Sequence, residues 1–162
     1  ELVNVMARER KLAQALEKLK NDYDYVIIDS PPSLGLVTIN IMTATDTVLV
    51  PIQCEYYALE GVEQLQNYIG MIRKALNRDL VVSTVLLTMF DSRTRLALDV
   101  ANEVRGYFPK EVLDAVIPRS VRVSEAPSYG KTVVTYDRRS AGAIAYLEAA
   151  AEIAIRGAQS GR

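Results

Sequence analysis

Tyr23-Asp24-Tyr25-Val26-Ile27-Ile28-Asp29-Ser30-Pro31-Pro32-Ser33 is the most informative run in the chain. Its apolar centre has no polar alternation and ends in an acid. A short continuous run of aromatic and β-branched residues fits a strand covered on both faces, as in the parallel sheet of an α/β protein. Asp29 then stands where the sheet's carboxyl edge opens, the edge at which open α/β sheets bind ligands. An acid there, followed by a rigid Pro-Pro turn, suits Mg²⁺ or phosphate chemistry. It also suits a plain turn cap, because acids are common at turn starts.

Strand and helix alternate on either side of this run. Leu2, Val5, Met6, Leu12, Ala13, Leu16 and Leu19 follow helical spacing among charged residues, which predicts an amphipathic helix through Lys20, ended by Asn21 and Asp22. Leu34 to Ala44 read as a helix with Ser33 as a possible cap, and Asp46 to Ile52 as a strand. A long helix from Leu59 to Leu76 puts Val62, Leu65, Tyr68, Ile69 and Ile72 on one stripe. Val81 to Met89 reads as the strongest strand, followed by a helix from Thr94 to Tyr107 and a short strand from Val112 to Ile117. Residues 118–131 read as an irregular polar segment, longer than an ordinary connection and therefore functional in character. Val133, Val134 and Tyr136 read as extended. Ser140 caps an alanine-rich helix to Arg156, and residues 157–162 read as a disordered tail. The alternation predicts an α/β fold of three layers, a mostly parallel sheet with helices on both faces.

Composition narrows the chemistry. With 162 residues, 49% hydrophobic and 24% charged, the chain is an ordinary globular domain in size and make-up. A formal charge of −1 gives no global attraction to nucleic acid or anionic membrane, so such binding needs a local patch. Histidine is absent and there is one cysteine, Cys54. Histidine-dependent nucleophilic catalysis, histidine-ligated zinc and an internal disulfide are thereby excluded. Cys54 reads as a small buried hydrophobe. No apolar run approaches the roughly 18 residues of a membrane span. Glu1 opens directly onto the helical pattern with no methionine, which predicts that the chain is part of a longer one.

Neither G-x-x-x-x-G-K-[ST] nor G-x-G-x-x-G occurs. Four other motifs do: Tyr25-Val-Ile-Ile-Asp-Ser-Pro-Pro-Ser-Leu-Gly-Leu, Val50-Pro-Ile-Gln-Cys-Glu-Tyr-Tyr-Ala-Leu-Glu-Gly, Leu86-Leu-Thr-Met-Phe-Asp-Ser-Arg-Thr, and Ile117-Pro-Arg-Ser-Val-Arg-Val-Ser-Glu-Ala-Pro-Ser-Tyr-Gly-Lys. In this order they closely resemble the ParA/Soj partitioning ATPases, the deviant-Walker P-loop family, over residues 10–155. The resemblance implies a P-loop NTPase-like fold, with residues 1–156 as the carboxyl-terminal two-thirds of the ATPase domain. The family's phosphate loop has no counterpart here, so the chain alone is expected to be inactive.

The resemblance assigns roles residue by residue. Asp29 matches the Walker B aspartate, which holds Mg²⁺ through water, and Ser30, Pro31, Pro32 and Ser33 match the nucleotide-sensing turn behind it. Met89, Phe90 and Asp91, with Pro118 and Arg119, match the loops that shape the base and ribose end of the ATP site; core packing is the other reading of Met89 and Phe90. The implied cofactors are ATP and Mg²⁺. The implied cycle closes a homodimer on Mg·ATP, binds double-stranded DNA without sequence preference, and is stimulated by a ParB-type centromere-binding partner, in the bacterial cytoplasm at the nucleoid.

Arg93 and Arg95 point to nucleic acid by a separate argument. With Asp91 or Ser92 as helix cap, both cations fall in the first turn, where the helix dipole disfavours them, so phosphates are the natural partners. Arg122 matches an arginine tied in the family to non-specific DNA binding, and Arg119 and Lys131 extend the patch. Tyr56 and Tyr57 suit strand-edge packing or a subunit interface. The rival readings are a MinD-like membrane-associated ATPase, a non-catalytic DNA-binding fragment and a response-regulator receiver. The alanine-rich carboxyl terminus lacks the bulky anchors a membrane helix needs, and a receiver needs an acidic pair on an earlier strand.

Overall fold

The computed structural model describes residues 8–19, 22–33 and 35–160. Expectations for Leu2, Val5, Met6, Lys20, Asn21, Leu34, Gly161 and Arg162 lie outside the described residues. The chain forms two compact units, Glu1–Val48 with Val62–Val81, and Leu49–Gly61 with Val82–Arg162.

In the first unit the amino-terminal helix is short and broken. A 3₁₀ turn, Arg8–Arg10, leads into α1 (Lys11–Leu16), and a second turn, Glu17–Leu19, ends it. None of its residues is fully buried. It leans on α2 (Leu36–Ala44), where the Leu12 amide donates to Asn40 Oδ1 at 3.3 Å. Helix α2 buries Thr38, Asn40, Ile41 and Met42 and starts at Gly35 with no side-chain cap. Ser33 therefore is not the cap. Its carbonyl instead accepts from the Thr38 hydroxyl, which braces the turn before the helix. At the other end Asn77 Nδ2 donates to Met42 O at 2.9 Å and Thr45 O at 2.8 Å, covering carbonyls that the end of α2 leaves open. Helix α3 (Ala58–Ala75) buries Val62, Ile69 and Ile72 with Leu65 and Tyr68 half-buried, which is the expected stripe.

The expected strand over Tyr25 to Asp29 is a correction. These residues carry no ladder or helix, and Tyr25, Val26 and Ile27 are exposed, Ile27 by 93%. A strand needs a neighbour for its amides and carbonyls, and none of the described residues pairs with it.

Strand β2 (Val81–Thr88) belongs to the second unit from Val82 onward, and its Val85 and Leu87 are fully buried. On one side lies β1 (Thr47–Gln53). The Val81 amide bonds to Asp46 O at 3.4 Å and the Cys54 amide to Thr88 O at 2.9 Å, so pairing advances in one direction along both strands and the pair is parallel. On the other side residues 112–118 meet β2 and its continuation through isolated parallel bridges, Val85 with Val112 and Phe90 with Pro118, and the Ile117 amide bonds to Leu87 O at 2.9 Å. The expected strand from Val112 to Ile117 is thus a broken pairing with one extra residue between its two bridges. Cys54 is buried, as expected, and burial pushes its thiol pKa up.

Helix α4 (Arg95–Tyr107) buries Ala97, Val100, Ala101 and Val104. The segment after Pro118, expected to be irregular, is helical. It comprises α5 (Val121–Glu125), a 3₁₀ turn Ala126–Tyr129 closed by Gly130 at φ 63°, and α6 (Val133–Tyr136). The expected extended piece at Val133 to Tyr136 gives way because Thr132 Oγ1 caps the Thr135 amide and Val133 packs with Ala126 and Ala143. Ser140 caps α7 (Ala141–Ser160) as expected, accepting from the Ala143 amide at 3.2 Å. The helix runs on to Ser160, so residues 157–160 continue it where the sequence reading begins a tail. Ala145 and Ala149 of α7 form a core with Leu86, Leu113 and Ile117.

Helix α5 comes so close to α7 that a Cβ on Gly142 would sit 2.6 Å from Val123 Cγ2. Valine has one strongly favoured rotamer in a helix and cannot swing aside cheaply. Gly142→Ala is therefore expected to cost about 1–3 kcal/mol through overpacking, read as a lower thermal midpoint. An unchanged midpoint would mean that α5 yields freely.

Candidate nucleotide and nucleic-acid site

The carboxyl end of β2 turns sharply at Met89, whose φ of 54° is the one positive value at a non-glycine among the described residues. Such a backbone costs about 1–2 kcal/mol and persists only where the surroundings enforce it. Here Phe90 is bonded on both sides: its amide donates to Ile117 O at 3.1 Å and its carbonyl accepts from the Arg119 amide at 2.9 Å. The Phe90–Pro118 bridge thus brings Met89, Phe90, Asp91, Pro118 and Arg119 to one edge of the sheet. Met89 and Phe90 are half-buried, so neither is a full core residue.

The charges at this edge are paired. Asp91 Oδ1 accepts from Arg93 Nε at 2.9 Å and Oδ2 from Nη2 at 2.8 Å, a two-point fork, and the Arg93 amide adds a third bond at 3.1 Å. Arg119 Nη2 pairs with Glu55 Oε1 at 2.5 Å across a sequence separation that no local pattern reveals. The pairing of Glu55 with Arg119 has no counterpart in the sequence reading. Tyr56 and Tyr57 beside it meet edge to face with centroids 5.1 Å apart and stay about three-quarters exposed.

The reasoning for Arg93 needs correcting. Thr94, not Asp91 or Ser92, caps α4, its hydroxyl accepting from the Ala97 amide at 3.3 Å. Arg93 then precedes the helix, outside the unfavourable end of the dipole, and the Asp91 carboxylate is its favourable partner. Arg95 is the first helical residue and pairs loosely with Asp99 at 3.6 Å.

Arg122 lies on α5, with Nη1 3.2 Å from Glu125 Oε2 and Nε 3.6 Å from Asp137 Oδ2. Tyr136, whose ring stacks on Tyr129 at 5.0 Å, donates its hydroxyl to the same Glu125 oxygen at 3.4 Å. Lys131 is exposed just beyond Gly130. Farther on, Arg156 donates to the carbonyls of Lys110, Glu111 and Val112, and Glu152 accepts the amides of Asp114 and Ala115 at 3.1 Å. This clasp holds the segment that supports the Phe90–Pro118 bridge.

Asp29 and Ser30 to Ser33 belong to the first unit and are exposed; Ser30 Oγ donates to Pro31 O at 3.4 Å. Among the described residues no three acidic, cysteine or histidine side chains stand together as a metal cage. Asp29 offers a single exposed carboxylate, and Mg²⁺ is an ion that takes as few as one carboxylate while keeping most of its waters.

The fork from Arg93 holds the Asp91 carboxyl down at about 2, below the roughly 3.9 of an unfolded aspartate. A depressed folded value adds stability above the unfolded value, and that stability is lost as pH falls from about 4 through about 2. Arg93→Ala is expected to let Asp91 titrate near about 4 when its carboxyl carbon is followed by NMR. A midpoint that stays near the wild-type value would show that Arg93 is not the cause.

Residues 1–82, just over half of the chain, match the family described as the AAA domain. The chain is 55% identical over 157 residues to the sporulation initiation inhibitor protein Soj of Bacillus subtilis, covering 97% of this chain and 62% of that protein. It is 52% identical over 156 residues to the chromosome partitioning protein ParA of Myxococcus xanthus, covering 96% and 55%. It thus spans less than two thirds of the length of either relative. Among solved structures it resembles cobyrinic acid a,c-diamide synthase from Mycobacterium smegmatis with bound ADP and magnesium, at 38% identity and a TM-score of 0.77, covering 99% of this chain and 58% of that one. The fold is accordingly the P-loop NTPase-like α/β fold, a parallel sheet with helices. The chain therefore belongs to the AAA-domain family, and in sequence it is strongly similar to the Soj and ParA chromosome-partitioning proteins.

Proposed function

We propose that this chain is the carboxyl-terminal part of an ATP-dependent DNA-partitioning protein. Its residues supply the metal-side acid, the base-side loops and the DNA-binding face. The reading rests above all on the Phe90–Pro118 bridge, which gathers Met89, Phe90, Asp91, Pro118 and Arg119 at the carboxyl edge of β2, where α/β sheets take nucleotides. These residues border the base and ribose. Asp29 holds a hydrated Mg²⁺ riding on the ATP phosphates, and Ser30 to Ser33 respond to whether the last phosphate is present. The bound ADP and magnesium of the cobyrinic acid a,c-diamide synthase structure support this choice of ligand. No phosphate loop of either known pattern lies within these 162 residues. In this reading other sequence of the complete protein supplies it, and the chain alone does not hydrolyse ATP.

The complete protein, with Mg·ATP bound, forms a homodimer. Arg93, Arg95, Arg122 and Lys131 then contact the phosphates of double-stranded DNA without reading its bases. A ParB-type centromere-binding partner stimulates hydrolysis and release. Such a protein works in the cytoplasm at the nucleoid; no helix among the described residues is long and apolar enough to cross a membrane. In the full-length protein, Arg93→Ala combined with Arg122→Ala is expected to abolish binding to duplex DNA of arbitrary sequence at low salt while ATP still binds. Undiminished DNA affinity would refute the assignment.

A further inference from the structure

Both arginines on which the nucleic-acid reading leans are already engaged by carboxylates of their own chain. Arg93 is forked on Asp91 through Nε and Nη2. Arg122 sits between Glu125 and Asp137, which reach its Nη1 and Nε from different sides. A carboxylate and a phosphate offer a guanidinium the same thing, a pair of oxygens sharing negative charge and spaced for parallel N–H donors. The two cannot occupy the same donors together. We propose that Asp91, Glu125 and Asp137 are internal competitors that set the affinity of this surface for nucleic-acid phosphate by contesting Arg93 and Arg122. The inference rests on reading these arginines as phosphate contacts.

The Arg122 site is built for easy exchange. Its three side chains are 55%, 41% and 38% exposed, so water reaches the pairs. Exposed pairs of this kind favour the joined state by no more than about fivefold. Duplex phosphate also gains from counterion release and outbids them. Glu125 does not go unpartnered when Arg122 leaves, because the Tyr136 hydroxyl stays on the same oxygen and the Tyr129 ring holds Tyr136 in place. When DNA departs, the carboxylates take the guanidinium back. The surface thereby gives up affinity in exchange for ready release.

The decisive test uses Arg122, because Asp91 also borders the proposed nucleotide loop. In the full-length protein, Glu125→Gln combined with Asp137→Asn is expected to tighten binding to a duplex of arbitrary sequence by about five- to twentyfold, from two pairs of this strength. The gain should vanish when Arg122→Ala is added, since no guanidinium is left to contest. Should the double substitution impair folding, each single one is expected to give about two- to fivefold, again only with Arg122 present. An equal gain with and without Arg122 would overturn the competition, because the acids would then act as bulk charge. Weaker binding would overturn it too, making them supports that aim Arg122. Arg122→Ala alone should lower the salt dependence by about one phosphate contact. If it alters neither affinity nor salt slope, the reading of Arg122 as a phosphate contact fails, and the competition with it.

Discussion

Strand β2 is the constraint on which the second unit depends. Its stretch Thr84 to Leu87 is buried on both faces, and the strand is hydrogen-bonded on both edges. One edge takes β1, and the other takes the bridges to Val112 and Pro118. Because the register on the second edge is fixed at Val85 and again at Phe90, the chain between must bulge, and the loop carrying Arg119 is pinned beside Asp91. The left-handed turn at Met89 is the local cost of that arrangement. Far along the chain, Glu152 and Arg156 of α7 hold residues 110–115 in place for the same bridges. A helix that touches none of the proposed ligands thus steadies the loop that does.

The electrostatics of this edge follow a single pattern. Asp91 with Arg93, Glu55 with Arg119, and Glu125 and Asp137 with Arg122 are charge pairs near the surface, joined across turns or between distant segments. The pairs of Arg119 and Arg122 are exposed on both sides and cheap to break, whereas the Asp91 fork is tighter and its carboxylate mostly covered. In a chain of formal charge −1, Arg93, Arg119 and Arg122 are thus each matched to an acid of the same chain. Gly142 contributes by letting α5, which carries Arg122, lie against α7 at Val123.

Much of this was legible in the sequence wherever an element is long and periodic. The Val-rich run of β2, the Val62–Ile69–Ile72 stripe of α3 and the Ser140 cap of α7 were all read correctly, because burial on one face or both leaves a pattern. The helices α5 and α6 were not, since four or five residues are too few for periodicity and their helical state comes from packing against α7 rather than from propensity. Val133 and Val134 look extended by preference, and Thr132 with the Ala126–Ala143 contact overrides it. At Arg93 the error lay in the cap: Asp91 was the better capping residue by type, but its carboxylate is taken by the arginine itself, which leaves the cap to Thr94. Glu55 and Asp137 carry no signal because their arginine partners are set by the tertiary fold, whereas Glu125 meets Arg122 by i,i+3 spacing on a helix too short to be read from periodicity.

The run Tyr25 to Asp29 remains the point on which the account turns. It has the composition of a doubly covered strand, yet its tyrosine, valine and isoleucine side chains stand exposed here. Under the proposed function, other parts of the complete protein cover this run and hold Asp29 in place. Amide hydrogen exchange at Val26, Ile27 and Ile28 in the full-length protein tests this directly. Strong protection, comparable to that of β2, is the predicted result, and exchange as fast as that of an exposed loop would contradict it.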